Sequence, residues 1–238
     1  MRIAALVAAL ALASATAAEA GVTGGVEATT DLRRRGLGWS GSRAAAGVWA
    51  AAEAGPASLT AAVTTLRGSR RHGGADAVVD VLPRYTIDAG AWRLSAGPSA
   101  RLFLGAGGQD YIELDGSAGW TFGPLRLTAA ASYAPRQRAI GGDNLYLSAN
   151  AEAGIPGTPL TVLGGIGRTT GDARDAERAR RLRPDGAYTD YRLAVEHVRN
   201  RLTFGAALTA TSIGAPPPGR FVDRATGTRA AAYARFDL

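Results

Sequence analysis

A chain of 238 residues without a single cysteine excludes a disulfide framework and any thiolate metal site. All of its 27 basic residues are arginine, and against 20 acidic ones they leave a net charge of +7, a balance that suits nucleic acid. Nucleic acid is nevertheless excluded as a partner: the chain opens like an exported protein, and many of its arginines fall in predicted connections rather than along one face.

From the N terminus, Arg2 provides a positive start, Ile3 to Ala13 form an apolar run, and Ala18-Glu19-Ala20 reads as a small-x-small cleavage site. Residues 1–20 are thus expected to be a signal peptide cleaved near Ala20, and residues 21–238 a single mature domain. The apolar run falls short of the roughly 20 residues that a spanning helix needs. No later segment is continuously apolar over that length either, so a mature chain in a membrane must cross it as strands.

Alternation and breakers place twelve strands, near 22–30, 44–53, 57–66, 76–87, 91–102, 109–120, 123–133, 143–153, 158–169, 187–198, 201–211 and 228–238. The stretch 91–102 is the clearest. Arg93, Ser95, Gly97, Ser99 and Arg101 take one face; Trp92, Leu94, Ala96, Pro98, Ala100 and Leu102 take the other. Similar parity sets Tyr85 and Ile87 against Arg84 and Thr86, Leu125 and Leu127 against Arg126 and Thr128, and Leu202 and Phe204 against Arg201 and Thr203. The Ala-rich strand around Trp49 and the Gly-rich strand around Gly164 alternate less clearly.

The connections alternate too. Ala54–Ala57, Asp88–Gly90, Phe122–Pro124, Gly154–Pro159 and Arg199–Asn200 are short turns. Between them lie longer polar links, Asp31–Arg43, Arg67–Ala75, Ala134–Gly142, Thr170–Gly186 and Ser212–Gly227, with a shorter one at Gly105–Gly108. The link Asp172–Arg183 is expected to be a solvated excursion, with a short helix as the other reading. Strands of about ten residues with alternating short and long connections describe an all-β, up-and-down antiparallel transmembrane barrel of about twelve strands. Both termini then lie on the short-turn, periplasmic rim.

On these residues the chain resembles the TorF-type porin family of proteobacterial outer-membrane proteins. Glu27-Ala28-Thr29-Thr30-Asp31 leading into Arg35-Gly36-Leu37 is similar to the family's first strand and its aromatic-Arg-Gly signature. The strand with Trp49, Ile155-Pro156-Gly157 and Tyr188-Thr189-Asp190-Tyr191 followed by Arg192-Leu193 extend the likeness over nearly the whole mature chain. Arg34 departs from the pattern, standing where the family has an aromatic residue. The terminal Phe236-Asp237-Leu238 departs as well, since such barrels often finish on an aromatic. The resemblance implies a Gram-negative outer-membrane barrel inserted by the barrel-assembly machinery.

A barrel's inward face is the natural site of function. Parity puts Asp80, Arg84, Arg93, Arg101, Glu113, Asp115, Arg126, Glu152, Arg192 and Glu196 there, with Glu113 and Asp115 flanked by strands bearing arginine. Rings of charged side chains select solutes by charge. A narrow, passive porin for small hydrophilic or anionic solutes is therefore expected, and twelve strands fall between the filled eight-stranded barrel and the open sixteen-stranded one. The other reading is a plugged barrel, filled by a salt-bridge lattice, whose Arg-rich outer loops bind anionic glycolipid or a partner protein. Arg33, Arg34, Arg35, Arg70 and Arg71 are the candidate glycolipid contacts.

No cofactor and no metal are expected. Catalysis is not expected either, because His72 and His197 are the only histidines and neither has a partner motif. Trp39, Trp92, Trp120, Tyr85 and Tyr133 are expected at the membrane interface.

Overall fold

The computed structural model describes residues 21–238; the expected signal peptide and cleavage site lie outside the described residues. Twelve long strands alternate with short turns and longer connections: β1 (Gly21–Thr29), β4 (Ala45–Ala54), β5 (Ala57–Ser69), β6 (Ala75–Ala89), β7 (Trp92–Leu104), β8 (Tyr111–Phe122), β9 (Leu125–Gln137), β10 (Gly142–Gly154), β11 (Leu160–Thr170), β12 (Tyr188–Arg199), β13 (Leu202–Thr211) and β14 (Arg229–Asp237). Each pairs antiparallel with its chain neighbour, and β1 closes on β14, so the sheet is a barrel with no free edge. The closing seam matches Gly25–Thr29 with Tyr233–Asp237, with one further backbone bond at each end (Thr30 N–H to Ala232 O, Leu238 N–H to Gly24 O), whereas β10 and β11 pair from Leu145–Thr170 to Gly154–Thr161.

The expected parity holds, and it is inside out relative to a water-soluble protein. Glu113 is 0% exposed while its neighbour Leu114 is 58% exposed. Tyr85, Ile87, Leu94, Phe122, Leu193 and Phe204 likewise look outward. Burying carboxylates while displaying leucine is favourable only if the exterior medium is hydrocarbon. Trp92, Trp120 and Phe122 gather on the outside near the short turns, the rings of Trp120 and Phe122 lying 5.7 Å apart.

Some inward positions are glycine because an aromatic side chain from the next strand lies across them. A Cβ on Gly25 would come 2.8 Å from Trp49 Nε1. Gly167 is covered in the same way by Tyr146, and Gly205 by Tyr233. These pairs thicken the wall without breaking the ladder.

At the long-connection end the barrel is filled. Two strands absent from the sequence reading, β2 (Arg33–Arg34) and β3 (Leu37–Gly38), form a hairpin within the first long connection. It tucks Leu32, Leu37 and Trp39 into a core with Leu66, Val78, Phe103, Tyr111, Ile140, Leu182, Tyr188 and Ile213. Trp39 is thus corrected from the membrane interface to this core, at 4% exposure. The link 172–183 is also corrected. It holds a one-turn helix, α1 (Ala176–Ala179), capped by Asp175, and then runs inward so that Arg181, Leu182 and Arg183 are buried.

Candidate functional site

The plug is anchored to the barrel wall by arginines. At the hairpin apex Arg35 has φ 51 and Gly36 φ 70, both left-handed. A non-glycine residue gives up roughly 1–2 kcal/mol in that conformation, and here it aims the Arg35 side chain at the wall. Arg35 binds Glu113 through two hydrogen bonds of 2.8 Å each. Arg34 grips Asp80 in the same bidentate way, at 3.0 and 2.6 Å, with its guanidinium 4.5 Å from the Trp39 ring. The residue that departs from the TorF-type pattern is therefore an anchor of the plug. Gly36 leaves no room for a side chain, since a Cβ would meet Thr211 and Asp190.

Further arginines knit the outer connections together. Arg71, 0% exposed, donates to the Gly38 and Arg181 carbonyls and to Asp223. Arg181 donates to the Gln109 and Ala139 carbonyls and, through Nε at 3.1 Å, to His72 Nδ1. Arg183 donates to the carbonyls of Asp143, Gly171 and Asp172. Burial pushes Arg181 down to about 10 and lowers Arg33 and Arg183. His72 lies 4.6 Å from Phe103 and 4.2 Å from Trp39, ring to ring. Burial, and then the positive charges of Arg181, Arg71, Arg34 and Arg101, hold its pKa well below the usual imidazole range.

These contacts relocate the expected glycolipid residues. Arg33, Arg34, Arg35 and Arg71 lie inside the mouth rather than on its rim, because wall carboxylates and loop carbonyls offer them partners there; Arg70 alone of the five is exposed. The exposed rim also carries Arg43, Arg67, Arg136 and Arg138.

All ten lumen candidates face inward, but they do different things. Arg101 pairs with both Asp80 and Glu113, and Arg84 pairs with Asp115, so these five belong to the lattice on the wall. Arg93 binds Asp88 at the short-turn end, where both are more than half exposed. Arg126, Glu152, Arg192 and Glu196 line open space instead. Sequence reasoning missed Arg34 and Arg35 as partners of Asp80 and Glu113.

Below the plug the lumen is a chain of chambers. The upper one, about 550 Å³, reaches from the hairpin down the walls of β10 to β14 and β1. The lower one, about 520 Å³, opens among the short turns beside Glu53, Asp88 and Arg93. A waist of about 180 Å³ shares Asn150, Glu152 and Arg192 with the upper chamber and Arg126 and Thr128 with the lower. Among the described residues no group of histidines and carboxylates is placed to hold a metal ion.

Residues 13–224 match a family model described as a bacterial protein of unknown function, Gcw_chp. The chain belongs to that family. No curated protein matches its sequence. Among solved structures, the NanC porin superposes with a TM-score of 0.60 at 10% identity, covering 91% of this chain and 98% of the porin. A chain from a study of the in-meso crystallization of membrane proteins gives 0.53 at 8% identity, covering 91% and 83%. Pseudomonas aeruginosa OccK5 (OpdH) gives 0.47 at 10% identity, covering 93% and 67%. The fold is that of a porin-like twelve-stranded barrel.

Proposed function

We propose that this protein is a narrow, passive porin of a Gram-negative outer membrane, delivered by a cleaved N-terminal signal, that passes small hydrophilic solutes. The observation that carries the reading is the series of three polar cavities below the plug, which share lining residues from the hairpin down to the short turns. Its apolar exterior, the likeness to the NanC porin and the TorF-type resemblance support it. In this reading the plug gates the path, its hairpin held by the bidentate Arg34–Asp80 and Arg35–Glu113 pairs.

Purified protein in a planar bilayer is expected to give small stepwise currents. Replacing Arg34 and Arg35 together by serine should raise the single-channel conductance several-fold. Silence from both proteins in repeated reconstitutions would overturn the reading.

A second reading is favoured by the packed core under the outer loops: a permanently closed barrel serving as a binding platform. Its ligand would be an anionic surface glycolipid held by the exposed Arg70, Arg136 and Arg138. Changing these three to serine should then abolish binding to glycolipid vesicles, whereas changing the buried Arg33 should not.

A further inference from the structure

The upper chamber carries more negative charge than its own arginines balance. Arg33 pairs with Asp31, Arg35 is committed to Glu113, and Arg235 turns to Asp237 at 3.3 Å. Glu27, Glu152, Asp190 and Glu196 have no guanidinium within ion-pair distance among the described residues. Asp190 is the telling one. It is only 6% exposed, its Oδ1 accepts from the Tyr146 hydroxyl at 3.3 Å, and its Oδ2 meets no donor among the described residues. A carboxylate with one oxygen lacking a donor is costly to bury, and the Asp190 side chain lines a cavity large enough for a ligand to approach it.

The waist has the opposite imbalance. Arg126 makes no hydrogen bond or ion pair among the described residues, although Glu152 stands directly opposite it in the β9–β10 register. Among the described residues Arg192 has a single long bond, 3.4 Å, to the Tyr233 hydroxyl, which in turn donates to Glu196 at 2.6 Å. Asp190 and Arg192 are alternate residues of β12 and so share its inward face about 6–7 Å apart.

We propose that the lumen takes small zwitterions, solutes with an ammonium and a carboxylate a few carbons apart. The ammonium lies against Asp190, and the carboxylate lies toward Arg192, with Arg126 beyond it at the waist. A simple cation satisfies the chamber and is repelled at the waist; a simple anion meets the reverse; a solute with both charges satisfies both. This rests on the reading of the lumen as a solute path and supplies the class of solute, displacing the simple anions expected from arginine content alone.

The test compares three probes of equal length, γ-aminobutyrate, n-butylammonium and butyrate, at pH 7 and constant ionic strength. Each is titrated into folded protein in neutral detergent carrying 3-fluorotyrosine at position 233, and the fluorine shift is followed. Saturable binding of γ-aminobutyrate at least ten-fold tighter than either singly charged probe is expected, and Asp190→Asn or Arg192→Gln should each erase most of that preference. Equal or tighter binding of butyrate or butylammonium, or no saturable shift with γ-aminobutyrate, overturns the proposal. The three-probe comparison needs no charge-altering variant, so a misfolded substitution does not remove it. It also needs no flow through the plug: absent bilayer current would defeat the porin reading while leaving the solute class to be decided by the titration.

Discussion

His72 shows how one residue can make the plug sensitive to acid. Arg181 donates to Nδ1, which leaves the imidazole proton on Nε2 and the ring neutral. Protonation would add a positive charge beside Arg34, Arg71, Arg101 and Arg181. An unfolded histidine takes up its proton near 6.5, while the plugged form does so only well below that. Between those limits the opened form binds more protons, so the plug's stability is full above 6.5 and is lost as pH falls. Lowering the pH from 7 to 5 should therefore increase protease cleavage in the outer connections. His72→Gln, which keeps an acceptor for Arg181, should flatten that dependence; cleavage independent of pH in the unaltered protein would sink the idea.

At the same scale, sequence reading found the inward charges but not all their partners. Glu113 and Asp115 were legible because parity fixes the face of a strand residue. Arg34 and Arg35 were not, because they lie outside the long strands and pair with wall residues distant in the chain. An arginine run normally marks solvated surface; only the flanking Leu32, Leu37 and Trp39 hinted that this run turns inward.

The elements themselves were the most legible part. Period-two alternation and turn residues located all twelve barrel strands because lipid outside and water inside impose opposite demands on successive positions. What alternation could not show was the meaning of the inward glycines, which read only as weak strand formers. Their role depends on a neighbour in register: Gly205 faces Tyr233, and its missing side chain is the space the ring occupies. Gly205→Val should push the Tyr233 ring away, break its bond to Glu196 and cost about 1–3 kcal/mol by overpacking. Unfolding in urea from detergent micelles measures this, and Gly164→Val, with open space around its Cβ, is the control expected to cost less.

At the scale of the whole molecule, closure depends on a short seam. Strands β1 and β14 share the matched run Gly25–Thr29 with Tyr233–Asp237, and Gly21 and Leu238 flank it on the short-turn rim. Other interfaces carry longer runs, such as Leu145–Gly154 against Thr161–Thr170 between β10 and β11, so fewer ladder bonds hold the cylinder shut here than there. Amide exchange in detergent should consequently be fastest along Gly25–Thr29 and slowest along β10 and β11. A uniform exchange profile around the circumference would contradict this. Such a join is a zipper's free end: it brings together the barrel's first and last strands over the shortest matched run, and under stress it is the first place where lipid can reach unpaired backbone. A cross-link placed across it should toughen the cylinder more than one placed between any two strands that are already consecutive.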